Sequence, residues 1–188
     1  MGIAMSRIGI FFAEGYEEIE ALTVVDLVRR AGIDIDMISV YGEKSVKGSH
    51  GIVVEMDKTL EETDFDGLDM LVLPGGLQGT QGLEACEELM KKLDAFYAAG
   101  KYIAAICAAP SIFGHRGYLK GRRATSYPGF ESHLEGAVVT HGAAEVDGHV
   151  ITGRGMGCSI PFGLAIVEQF AGKDEAEKLA DKIVWMNA

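Results

Sequence analysis

Cysteine, proline and tryptophan are scarce in this chain, at 3, 4 and 1 of 188 residues. Cys86, Cys107 and Cys158 are odd in number, and no two stand in a C-x-x-C pair. That excludes a disulfide framework as the stabilising device, and with it a cysteine-built zinc site. Positive charge is short as well. With 17 Lys and Arg against 28 Asp and Glu, the formal net charge is −11. No basic stripe exists to neutralise phosphates, so nucleic acid is not an expected partner. Long hydrophobic runs are missing too. The N-terminal "RIGIFFA" is far too short to span a bilayer, and the residues before it lack a basic leader. No membrane partner is expected, and a reducing cytoplasm is the expected location. No linker, repeat or low-complexity run divides the chain, so 1–188 reads as one domain with residues 1–5 as a disordered leader.

What is present is a regular alternation. Short Ile- and Val-rich runs, "RIGIFFA", "IDIDMISV", "DMLVLPGG" and "YIAAIC", are separated by helical patterns. "YEEIEALTVVDLVRRAG" predicts a helix that stops at Gly32, with Arg29 and Arg30 in its last turn. A second helix is expected over about 84–99, a short one after Cys107 and two more in the tail, the first with Pro161 in its opening turn. "GIVVEM" (51–56) reads as an edge or hairpin strand, and "RRATSY", "AVVT" and "HVIT" as further strands. Continuous apolar strands alternating with helices imply an α/β fold with a mostly parallel sheet covered on both faces. In such sheets ligands bind at the carboxyl ends of the strands, where strand order reverses.

Two turns fall at those ends, "LPGG" and "AICAAP". Cys107 stands where a buried strand hands over to a helix starting near Ala108, with only small residues around it. That is the layout of a nucleophile elbow. Unpaired amides at such a turn favour a thiolate and predict a pKa lowered from about 8.5 toward roughly 3.5–7.5. The same amides, with those of Gly75 and Gly76, can hold an oxyanion. Glu17, Glu18 and Glu20 open the first helix at the same edge of the sheet. Plain helix-end electrostatics accounts for Glu18. Glu20, flanked by Ile19, Ala21 and Leu22, is a candidate buried proton carrier.

The other polar candidates read blandly. His115 lies eight residues beyond Cys107, a rise of roughly 12 Å on one helix and too far for a direct contact. His133, His141 and His149 read as surface residues, Cys86 as a helix core residue, and Cys158 as a packed small side chain. No His, Asp or Glu cluster has metal spacing, so no metal is expected.

"AEGYEEIEALTVVDLVRRAG", "LVLPGG", "AAICAAP" and "GRGMGCSIPFGLAIVEQFAG" together resemble the ThiJ/PfpI family of the class I glutamine amidotransferase-like superfamily, in its branch around the human parkinsonism-associated deglycase. The resemblance covers nearly the whole chain. It implies a flavodoxin-like three-layer sandwich, a homodimer, and no cofactor. It makes Cys107 the reactive cysteine, Glu20 its protonated partner and the backbone of Gly76 and Ala108 the oxyanion donors. Arg154 would border the pocket, and Glu17, Arg30 and His50 would line the pocket rim or the dimer interface. The branch often carries a histidine before the proline that follows the elbow; here Tyr127 stands there, and Ala108 occupies the position where protease-like members place a histidine. A Cys–His–acid triad is therefore not visible in one chain.

What the resemblance implies for activity is chemistry on small reactive carbonyls. The expected reaction is glutathione-independent conversion of methylglyoxal to lactate, or deglycation of thiols and amines, with Tyr127 supplying the hydrogen bond that relatives take from histidine. Two other readings stay open: an oxidative-stress sensor or chaperone built on an oxidisable Cys107, and a hydrolase or amidase.

Overall fold

In a computed structural model of the chain, residues 7–186 are described; the expected leader, 1–5, lies outside them. The strands are β1 (Arg7–Phe12), β2 (Asp34–Ser39), β3 (Ser45–Lys47), β4 (Val53–Glu55), β5 (Lys58–Thr59), β6 (Met70–Leu73), β7 (Tyr102–Ile106), β8 (Arg123–Ala124), β9 (Val138–Val139), β10 (Ala144–Asp147) and β11 (Val150–Gly153). The helices are α1 (Glu18–Arg30), α2 (Leu77–Ala85), α3 (Glu87–Ala98), α4 (Pro110–His115), α5 (Ser159–Ala171) and α6 (Lys173–Lys182). Seven strands form one sheet in the order β10-β11-β7-β6-β1-β2-β5, and only the β10–β11 pair is antiparallel.

The alternation of side chains along each central strand builds two cores, one on each face. Ile8, Ile10 and Phe12 of β1, Met70 and Val72 of β6, and Ala104 and Ile106 of β7 join α1, α5 and α6 through Val24, Val28, Ile166 and Leu179. Phe11, Leu71, Leu73, Ile103 and Ala105 point the other way, against Leu83, Leu89, Leu93, Phe96 and Ile112 of α2, α3 and α4. A strand buried on both faces has no polar side to show. That is why these segments read as unbroken apolar runs. Each fully buried Ile, Leu or Phe contributes roughly 1.5–3 kcal/mol of transfer free energy.

Strand order reverses beside β1: the chain lays β2 on one flank and then returns to place β6 and β7 on the other. The carboxyl ends of β1, β6 and β7 therefore open side by side. They deliver, in turn, the start of α1, the Gly75–Gly76 turn and Cys107.

Several local expectations are corrected. The helix expected over 84–99 is α3, which starts at Glu87 after a break at Cys86, whose N–H closes onto Leu83 and whose C=O receives the Met90 N–H; α2 precedes it where no helix is expected. Cys86 is thus a half-buried joint rather than a helix core residue. Two glycines weaken the pattern of α2, and Gly79 is needed because a Cβ there would run into the backbone of Tyr16. Of "RRATSY" only Arg123 and Ala124 pair, with β9. The helix after the thiol begins at Pro110, not near Ala108. His149 is not a free surface residue: its ring lies 5.2 Å from that of Tyr97 and its Nε2 is buried.

Candidate active site

Cys107 sits at φ +68°. A side chain in this left-handed region costs of order 1–3 kcal/mol, and it persists only where the surroundings fix it. Here they do. The Cys107 N–H donates to the Gly153 carbonyl at 2.9 Å, and its own carbonyl receives the Tyr127 N–H at 2.8 Å. The Ala109 N–H closes the turn onto Ile106. Held from β11 and from the Ser126–Tyr127 segment, the backbone reverses in one residue and lifts the thiol out of the strand. Ala108 and Ala109 are buried, so the turn admits small side chains only.

Gly75 presses against the thiol from the next strand. A Cβ at Gly75 would overlap the Glu20 carboxylate, the Cys107 Cβ and the Ile106 carbonyl, so one point in space touches all three. Glu20 is 1% exposed, and its Oε2 accepts the Gly75 N–H at 2.9 Å. Its Oε1 is buried with no hydrogen-bond partner among the described residues. The thiol lies against the carboxyl.

Burial pushes the Glu20 carboxyl up to about 7, against the pull of the Cys107 thiol and the Gly75 amide; the charge of Glu17 adds to the rise. Cys107 moves in the direction opposite to the sequence expectation. Burial, then the charge of Glu20, push the thiol up to about 12, although the amides of Gly76 and Ala108 pull it down. The sequence showed the amides but not the depth of the pocket or an ionised neighbour. Two acids this close do not both ionise near neutrality; they hold one proton between them. With that proton on Glu20, the charge that opposes the thiolate is gone.

The Gly75 amide is committed to Glu20, so it does not serve as an oxyanion donor; the amides of Gly76 and Ala108 face the sulfur. Gly76 adopts φ +85°, and a Cβ there would collide with the Gly15 carbonyl. Glu17 is tied into this turn by its N–H, which donates to the Gly75 carbonyl at 3.0 Å.

The DJ-1/PfpI family pattern matches residues 6–169. The chain belongs to the DJ-1/PfpI family. It is 35% identical to Protein DJ-1 homolog B of Arabidopsis thaliana over 98% of its own length, and spans 42% of that relative. It is 33% identical to a deglycase of Pyrococcus abyssi, over 79% of this chain and 89% of that one. Among solved structures, oxidised Toxoplasma gondii DJ-1 superposes with a TM-score of 0.89 at 30% identity, covering 97% of this chain and 100% of that one.

Within this DJ-1/PfpI fold the remaining candidates divide into two groups. Tyr127 is half-exposed, its backbone bonded to Cys107 and its ring packed near Gly155. Arg154 is anchored across the same rim, donating from its guanidinium to the His141 carbonyl at 2.7 Å. Arg30 is elsewhere, in the last turn of α1, paired with Asp26. It lines an apolar groove of about 590 Å³ with Ile19, Leu22, Ile52, Ile160 and Ile183, not the space above the thiol.

Glu18 corrects the plain helix-end reading. It is 4% exposed and accepts hydrogen bonds from the His50 N–H at 2.7 Å and the Ser49 hydroxyl at 3.1 Å. Although burial opposes ionisation, these bonds and its own backbone N–H hold its carboxyl below the ordinary range. Gly48 has no side chain because the Glu18 carboxylate fills that space. Glu17, Glu18 and His50 thus gather their donor atoms within 4.8 Å, a grouping invisible in sequence, where His50 is 32 residues away.

Proposed function

We propose that this protein is a cofactor-free, cysteine-dependent enzyme acting on small 2-oxoaldehydes, with methylglyoxal as the type substrate and lactate as the product. One observation carries this reading: a nearly water-free carboxyl, Glu20, beside a thiol held on a strained turn. The Cys107 thiolate adds to the aldehyde carbon. The resulting alkoxide rests on the Gly76 and Ala108 amides and takes the proton of Glu20, giving a hemithioacetal. Glu20, now a carboxylate, removes the hydrogen on that carbon to form an enediolate and returns it to the neighbouring carbon, while the hydroxyl proton passes from the first oxygen to the second. The product is a lactyl thioester, which one water cleaves to lactate and free thiol. Tyr127 and Arg154 line the entrance and orient the second carbonyl.

A hemithioacetal or aminocarbinol releases its thiol or amine as its C–S or C–N bond breaks and the aldehyde re-forms; addition of Cys107 to that aldehyde is deglycation, the activity named for the Pyrococcus relative. A sensor role has one observation in its favour, the oxidised state of the Toxoplasma neighbour. One preparation separates the two readings. Methylglyoxal loss without glutathione, with lactate formed in equal amount, is expected for the enzyme. Oxidation of Cys107 to a sulfinic acid by mild peroxide, with no methylglyoxal loss, would establish the sensor instead. Either role is read here as cytoplasmic. No helix among the described residues is long and apolar enough to cross a membrane.

In this reading the groove along α1 is a homodimer seam. Ile19 and Ile52 are about half-exposed there, flanked by Arg30 and by Glu18, to which His50 is hydrogen-bonded. Ile19→Glu is expected to halve the sedimenting mass at micromolar concentration; a wild-type monomer would overturn the dimer.

A further inference from the structure

Apart from the thiol pocket, the chain brings together two histidines that its sequence keeps 18 residues apart. His115 ends α4, and His133 ends a single 3₁₀ turn, Glu131–His133, laid against that helix. The approach is built into the backbone. A Cβ at Gly114 would collide with the His133 carbonyl, so the glycine lets the turn sit directly on the helix. His115 Nε2 and His133 Nδ1 lie 3.0 Å apart, with their rings nearly perpendicular at 74°. Glu84, at the end of α2, accepts from His115 Nδ1 at 2.6 Å. The Phe130 ring packs against His133 at 5.8 Å between centroids. Both histidines are exposed.

We infer that His115 and His133 form a chelating site for a late first-row divalent metal ion, with Glu84 orienting His115 from behind. The carboxylate decides the tautomer: holding the proton on Nδ1 of His115, it leaves Nε2 as the lone pair that faces His133. A carboxylate behind a ligating histidine is the usual support of a metal-bound imidazole, fixing its ring and raising its basicity. His133, the donor in the metal-free pair, offers its Nδ1 lone pair once its proton moves to Nε2, so a neutral pair binds the ion with no net proton release.

The donor set, two imidazoles on an open surface, selects the ion. Two imidazole nitrogens at about 2.0–2.1 Å from a metal stand about 2.9 Å apart at a right angle and about 3.3–3.4 Å apart at a tetrahedral one. The metal-free pair, hydrogen-bonded at 3.0 Å, already lies within a few tenths of an ångström of either spacing. Water fills the other positions at this open surface. Cu²⁺ therefore binds most tightly, with Ni²⁺ and Zn²⁺ weaker. The site does not depend on the proposed carbonyl chemistry. Its location gives it a structural consequence: it staples the end of the helix that follows the Cys107 elbow to the segment running on from Tyr127.

The test is Cu²⁺ titration of the Cys107→Ser protein, which keeps the reactive thiol out of the measurement, read by calorimetry and by electron paramagnetic resonance. One tight equivalent with splitting from two imidazole nitrogens is expected. His115→Gln and His133→Gln should each weaken binding at least tenfold and remove one nitrogen from the spectrum. Glu84→Gln should weaken it about tenfold while leaving both nitrogens. His50→Gln, at the other histidine–carboxylate cluster, should change neither. Because His133 lies on an exposed turn, its variant tests the site even if His115→Gln loosens α4. A spectrum without imidazole splitting overturns the site, as does an affinity unmoved by both substitutions or lost equally in His50→Gln.

Discussion

Replacing Cys107 by alanine is expected to reduce lactate formation from methylglyoxal to the uncatalysed rate, a loss of at least about 10³-fold in kcat/KM. No neighbouring group can take over. Cys86 lies at the α2–α3 joint and Cys158 in the turn before α5, so neither occupies the elbow. The Cβ of this residue is also the origin of the strain at this turn. At φ +68° any side chain pays for the left-handed conformation, by roughly 1–2 kcal/mol relative to glycine. Two substitutions separate these effects. Cys107→Gly is expected to be as inactive as Cys107→Ala yet more stable than it by about 1 kcal/mol in urea unfolding. Lactate production surviving in either variant would remove Cys107 from the chemistry. Equal stability would mean that the turn is not strained by its side chain.

The fold was legible where burial on two faces leaves a mark in the sequence. β1, β6 and β7 each read as an unbroken apolar run, and each ends where a charged or small motif begins. That placed Glu20, the glycine turn and Cys107 at one edge before any distance was known. Their separation in the chain, 55 residues between Glu20 and Gly75, is bridged by the parallel sheet alone. What remained hidden depends on tertiary contact. β10 pairs β11 across the Asp147–Gly148 turn, yet its residues are half-exposed and carry no strong strand pattern. α2 was lost because Gly79 and Gly82 lower its helical propensity, and Gly79 is there for a close approach to Tyr16. Glu18 looks like an ordinary first-turn carboxylate until the Ser49–His50 turn folds over it. The sign of the Cys107 shift was missed for a related reason. Amide dipoles at a turn can be read from sequence, but the desolvation that outweighs them is a property of the packed pocket.

Glu20→Gln is the substitution that discriminates most sharply among roles for the carboxyl. Glutamine fills the same space and can still accept from the Gly75 amide, so the turn should keep its shape. It carries no charge and moves no proton. Turnover is expected to fall about 10²–10⁴-fold, the usual worth of a positioned acid–base group. The pH dependence should change with it. In the wild type the pair loses its first proton near pH 7, the value to which burial lifts Glu20, and its second near 12. Between those values one proton is shared, and the form with a neutral acid and a thiolate is the reactive one. Activity and alkylation of Cys107 by iodoacetamide should therefore both rise with pH through about 7. In Glu20→Gln the raising charge is absent, so the thiol titrates alone, below about 12, and the step near 7 disappears. The variant would then hold a thiol that still alkylates but no longer isomerises its adduct. A Glu20→Gln enzyme with wild-type turnover and an unchanged step near pH 7 would show that the carboxyl only fills space. A variant that loses alkylation and turnover together, with its thermal midpoint intact, would assign Glu20 to presenting the thiolate rather than to carrying the proton between carbons.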